Sequence, residues 1–130
     1  MTQSTSQHTP LENTPKFAPQ ISVPATYMRG GTSKGTFFKL SDLPERCQVA
    51  GSPRDNFLLR VIGSPDPYGK QIDGLGNGSS STSKTVILSR ASRADHDVNY
   101  LFGQVNIAKP MIDWAGNCGN LTAAVGACAL

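Results

Sequence analysis

The chain has 130 residues, 38% of them hydrophobic and 16% charged, with a net charge of +3. That is enough for one domain with a modest core. It excludes a membrane-spanning apolar run, and the scattered lysines and arginines form no basic stripe of the kind that binds nucleic acid. The 13 glycines and 9 prolines cluster in loops between apolar runs, which favours a folded, loop-rich chain over a low-complexity one. A few cations set in glycine loops fit a small anion as ligand. The cysteines, Cys47, Cys118 and Cys128, are odd in number and have no framework spacing, so reduced thiols and a cytoplasmic setting are expected.

Residues 1–20 are polar and lack the apolar segment of a signal peptide, so they read as a disordered lead-in. Ile21 to Met28 alternates at Ile21, Val23 and Tyr27, and Pro24 makes it an edge or first strand. Arg29-Gly30-Gly31-Thr32-Ser33-Lys34-Gly35 reads as a tight turn, with Thr36 to Leu40 as the returning strand of a hairpin. Ser52-Pro53-Arg54-Asp55 starts a helix: Ser52 suits the N-cap, Pro53 the first turn, and Asp55 a capping-box-like position. Phe57, Leu58, Val61 and Ile62 share one face, and Gly63 suits the residue just past the end.

Asp73 to Ser83 is a long glycine/serine loop, and such loops in compact domains are usually functional. Lys84 opens a strand through Ser89, and Arg90 to Asp97 is a charged turn. Tyr100 to Ile107 is a further strand. Asp113-Trp114 leads into a cysteine loop, and a helix runs from near Asn120 to the end. That pattern has no stop signal before Leu130, so residues 21–130 are expected to be part of a longer domain. Strands paired locally, with few and late helices, argue α+β with an antiparallel sheet.

Three loops carry chemistry. Asn117-Cys118-Gly119-Asn120 places a thiol and bare N–H donors at a helix start, where an anion is held and a thiol ionises easily. Glycine and asparagine neighbours suit a site better than a core. Cys47 and Cys128 have ordinary surroundings and read as packed. The N–H groups of Gly30 to Ser33 are able to form an anion nest, with Arg29 or Lys34 adding charge. Lys84, at the mouth of its strand, is either a solvated cation or, in a dry pocket, a general base. The three loops are expected to converge on one small carboxylate substrate. Walker spacing is absent, and Asp73-Gly74-Leu75-Gly76-Asn77-Gly78 lacks the strand and helix of a dinucleotide fingerprint. His8 and His96 have no second ligand nearby, so no metal site is expected.

Taken in order, several stretches resemble the PrpF protein family, 2-methylaconitate cis–trans isomerases of the diaminopimelate-epimerase-like superfamily. They are Met28 to Gly35, Gly63-Ser64-Pro65-Asp66-Pro67-Tyr68-Gly69-Lys70-Gln71-Ile72-Asp73-Gly74, Ser80 to Lys84, Tyr100 to Val105, and Asp113 to Thr122. The resemblance runs from about Thr26 to the end. It implies a two-domain fold, each domain a barrel-like sheet wrapped around a central helix, with the active site between them. This chain would carry part of the N-terminal domain, the helix near Asn120 being its central helix, and the second domain would be absent.

The resemblance also implies roles. Lys84 would transfer an allylic proton of an unsaturated tricarboxylate in propionate breakdown, and Cys118 would match the first catalytic cysteine of the epimerases. Arg29, Gly30, Gly31, Thr32, Ser33, Ser83, Asn117, Gly119 and Asn120 would bind substrate. No cofactor is needed. The alternatives within the family are a 4-oxalomesaconate tautomerase and a methylitaconate isomerase. Outside it stands a non-catalytic accessory or carboxylate-binding protein for a 2-methylcitrate dehydratase.

Overall fold

The computed structural model describes residues 19–129. Most of the expected polar lead-in, His8 and Leu130 lie outside the described residues. Five strands form one sheet in the order β1 (Thr26–Gly30), β2 (Ser33–Lys39), β3 (Lys84–Arg90), β4 (Val98–Val105) and β5 (Ile112–Asp113). Among the described residues two α-helices accompany it, α1 (Ser52–Ile62) and α2 (Gly119–Ala129). The class is α+β, as expected.

The sheet is mixed rather than antiparallel. β2 and β3 run parallel, with Thr36 opposite Thr85 and Lys39 opposite Leu88, while every other pairing is antiparallel. Parallel neighbours need a crossover of about a dozen residues or more. Residues 40–83 provide it, and α1 lies inside that connection.

Strand alternation divides the core between the two faces. Phe38 and Ile87 point to one side and pack with Leu58, Leu59 and Ile62 of α1. Phe37, Val86, Leu88 and Phe102 point to the other and pack with Leu121, Ala124 and Val125 of α2. Each helix therefore buries its apolar stripe on its own face of the sheet.

Local signals set the element ends. Ser52 and Pro53 open α1, with Gly51 rather than Ser52 at the N-cap. Gly63 closes it in the left-handed region at φ 93°, its N–H donating to the Leu59 carbonyl, where glycine escapes the Cβ penalty. Asp55 makes no cap. Its carboxylate accepts from Trp114 Nε1 at 3.0 Å, and Arg54 lies 5.9 Å from the centre of that indole. This ties the cysteine loop to α1.

The β1–β2 turn is only Gly31 and Thr32, between the paired Gly30 and Ser33. Gly31 alone is at positive φ, 54°, the pattern of a type II′ turn. The strands therefore run through most of the expected Arg29–Gly35 turn, and β1 begins five residues later than Ile21.

Candidate functional site

Alternation carries Ser33 and Lys84 to the same face. Ser33 is in phase with Phe37, and Lys84 with Val86 and Leu88, so both look toward α2. The start of α2 meets them there. Lys84 Nζ donates to Ser33 Oγ at 2.9 Å and to Cys118 Sγ at 3.4 Å. Cys118 Sγ and Ser33 Oγ are 3.8 Å apart, so the three groups form a closed triangle. Lys84 is 8% exposed, Cys118 7% and Ser33 2%. The Phe102 ring lies 6.0 Å below the ammonium and adds a cation–π attraction. These contacts hold the ammonium in one place.

Cys118 immediately precedes α2, and its sulfur takes the place a serine oxygen takes at an N-cap. The N–H of Leu121, third residue of the helix, donates to Sγ at 3.4 Å. Burial pushes the thiol pKa up, but the Leu121 N–H, the Ser33 hydroxyl and the Lys84 ammonium outweigh it. The net effect holds Cys118 below the usual thiol value of 9.0. Asn117 Oδ1 accepts from the Cys118 N–H at 2.8 Å and fixes the loop. Thr122 Oγ1 and Tyr100 OH donate to the Cys118 carbonyl at 2.8 and 3.4 Å. Gly119 and Asn120 are exposed in the first turn, whose N–H groups have no partner within a helix. The arrangement offers an acid–base pair beside donors suited to a carboxylate.

The other expected site residues divide. Arg29 and Thr32 are exposed at the hairpin tip, and Arg29 Nε donates to the Gly31 carbonyl at 2.9 Å. Gly30 is buried against the start of α2, and Gly31 is exposed beside it. The backbone of Asn120 and Leu121 lies against Gly30, with a Cβ there only 3.0 Å from Leu121 Cα, and the Asn120 side chain covers Gly31. Their smallness serves helix docking. Ser83 is also turned away from the site. Wholly buried, its hydroxyl donates to the Val105 carbonyl and accepts from Gln71 Nε2, both at 2.8 Å.

Gln71 is a residue the sequence did not mark. Its buried carboxamide bonds Ser64, Ser83 and the Gly78 N–H, and polar residues in glycine-rich loops give no periodic signal by which to find it. Two surface concavities lie at the far end of the sheet from Lys84, around Lys39, Leu88, Arg90 and Cys128, and touch none of this chemistry. Cys47 is buried beside Pro53, and Cys128 packs on the α2 side of the core. His96 sits in the charged turn with Asp95 and Asn99. Among the described residues there is no cluster able to hold a metal ion, and no helix is long and apolar enough to cross a membrane.

The chain is similar to known proteins in sequence and fold. A 2-methyl-aconitate isomerase of Shewanella oneidensis is 74% identical over 114 residues, 88% of this chain and 29% of that protein. A 2-methyl-aconitate isomerase of Cupriavidus necator is 72% identical over 83% of this chain and 27% of its own. A 4-oxalomesaconate tautomerase of Pseudomonas putida is 48% identical over 85% of this chain and 29% of its own. The chain thus spans under a third of these relatives' length. The crystal structure of a methylitaconate-delta-isomerase superposes with a TM-score of 0.73 at 45% identity, covering 82% of this chain and 26% of that one. The family model described as PrpF protein matches residues 20–130, every motif from the hairpin to the cysteine loop included, and on that match the chain belongs to the PrpF family.

Proposed function

We propose that this chain supplies the proton-transfer half of a cofactor-independent isomerase that acts on an unsaturated tricarboxylate, 2-methylaconitate, in propionate breakdown through the 2-methylcitrate cycle. The observation that carries the reading is the buried lysine bonded to both a serine hydroxyl and a thiol of lowered pKa. The much higher identity to the two 2-methyl-aconitate isomerases than to the tautomerase supports the choice of substrate.

Lys84 and Cys118 act as one unit. With the thiol ionised, the pair is an ammonium and a thiolate joined by a hydrogen bond. Passing that proton from Nζ to Sγ frees the amine, which takes the allylic proton of the substrate. The C–H electron pair spreads through the double bond into the adjacent carboxylate as a dienolate. The N–H groups of Gly119 and Asn120 receive the charge that grows on its oxygens. Rotation about the transiently single bond, then return of the proton from the Lys84 ammonium, completes the cis–trans change.

Arg29 and Thr32 take the distal carboxylates in this reading, which their exposure at the hairpin tip supports. The relatives' greater length supports a second domain closing over Asn117 to Asn120. The need for a reduced Cys118 supports a cytoplasmic setting, and the pathway supports functional association with a 2-methylcitrate dehydratase.

The test is exchange of substrate protons with deuterium oxide, followed by proton NMR, in a full-length enzyme carrying this chain. Lys84→Ala is expected to lose exchange and isomerisation together. Exchange retained near the parent rate would remove Lys84 from the chemistry. Tight carboxylate binding by the parent without any turnover would favour the accessory-protein reading.

A further inference from the structure

The loop from Gly63 to Ser83 is not held down by apolar burial. Tyr68 and Ile72 in it are exposed, at 84% and 83%, and its deeply buried side chains are Ser64, Gln71 and Ser83. These three form one polar knot. Gln71 Nε2 donates to Ser64 Oγ and to Ser83 Oγ, each at 2.8 Å, and Oε1 accepts from the Gly78 N–H at 2.9 Å. Gly76 lies directly against the carboxamide, where any side chain would collide with it. Asp66 fixes the approach by accepting the N–H groups of Tyr68, Lys70 and Gln71, and Gln71 itself is at φ 53°.

The knot ends on Ser83, the residue before Lys84. There the Ser83 hydroxyl donates to the Val105 carbonyl, the Val105 N–H donates back to the Ser83 carbonyl at 2.9 Å, and Gln104 Nε2 adds a bond to that carbonyl at 3.0 Å. Lys84 is thus clamped to β4 on one side and to the loop on the other, at the point where its side chain must reach Ser33 and Cys118.

We propose that Gln71, acting through Ser83, is a positioning residue that sets where the Lys84 ammonium stands against Cys118. This rests on the role given to Lys84 above. Displacement of about 1 Å in a reacting group costs on the order of a hundredfold in rate, so a loosened knot is read in turnover rather than in substrate affinity.

The experiment compares Gln71→Leu, Ser83→Ala, Ser64→Ala and Lys84→Ala in the full-length enzyme, measuring kcat, KM and Tm for each. Ser64→Ala breaks the same knot on the side away from Lys84, and Ser83→Ala is the milder cut should Gln71→Leu fail to fold. Gln71→Leu and Ser83→Ala are expected to lower kcat by about 10- to 100-fold with KM within about threefold. Ser64→Ala is expected to lower Tm comparably to Ser83→Ala while keeping kcat within about twofold. The positioning role falls if all three knot variants lose kcat in step with Tm, or if Ser83→Ala and Gln71→Leu turn over at the parent rate while Lys84→Ala does not. Should Lys84→Ala itself keep exchange, the proposed function falls, and this role with it.

Discussion

Gly30→Ala tests whether the hairpin tip and the first turn of α2 hold the site together by contact. Gly30 is not at positive φ, so alanine brings no backbone strain and the added methyl is the whole perturbation. That methyl would press on the Asn120 carbonyl oxygen and stand 3.0 Å from Leu121 Cα. Both are backbone, so no side-chain rotation relieves the contact, and the start of α2 must move outward. Overpacking of this kind costs about 1–3 kcal/mol. The same movement carries Cys118, whose sulfur is tied to the Leu121 N–H, away from a lysine now 3.4 Å distant. Turnover of the full-length enzyme should then fall by about a hundredfold if the shift approaches 1 Å.

Gly126→Ala is the matched control. It lies within α2, and a methyl there meets nothing within 4 Å. It should raise stability by about 0.5–1 kcal/mol through helix propensity and leave turnover alone. Urea denaturation and steady-state kinetics of the two variants decide the matter. Gly30→Ala with unchanged denaturation midpoint and turnover within twofold would refute the docking argument.

Further expectations concern the thiol and the cysteine loop. Cys118 should alkylate with iodoacetamide at a rate whose pH midpoint lies below 9.0, and peptide mapping separates it from Cys128, whose thiol burial pushes up. Because the folded pKa is depressed, the thiolate contributes stability that is fully present above 9.0 and is lost as pH falls through the folded value. In Cys118→Ala that part of the pH dependence of the urea midpoint should disappear. Trp114→Phe keeps an aromatic ring, though a smaller one, and removes the bond to Asp55; it should cost about 1.5–3 kcal/mol in urea denaturation. A loss under about 0.5 kcal/mol would show that the loop is held by packing alone.

Much of this was legible in the residues because local chemistry decided it. Pro53 and Gly63 bracket α1 by backbone geometry that few other residues provide. The apolar run from Lys84 onward is β3 to within one residue. The thiol stands at the head of α2 because asparagine and glycine on either side permit a cap and an exposed turn.

What the local residues do not show is decided by distant partners. Gly30 and Gly31 look like free turn glycines, yet α2, some ninety residues later, packs against them. Ser83 looks like a loop hydroxyl free for substrate, yet Gln71 and Val105 claim it. The parallel β2–β3 pair is not legible locally, because hairpins on either side suggest local pairing throughout, and a helix inside the intervening connection permits a crossover without requiring one. Ser33 was found by its motif, but its place beside Lys84 follows from strand phase, which puts it on the face of Phe37.

The triangle of Ser33, Lys84 and Cys118 joins positions 51, 34 and 85 residues apart. None of its sides closes within a single hairpin or helix. The Ser33–Lys84 side waits for the parallel pairing across residues 40–83, and both sides to Cys118 wait for α2 to dock. Contacts of such separation form late and slowly, because loop closure is unfavourable until the whole sheet compensates. A growing or partly unfolded chain therefore presents no half-assembled lysine–thiol pair. The Cys118 thiol acquires its lysine only in a molecule that has completed its topology.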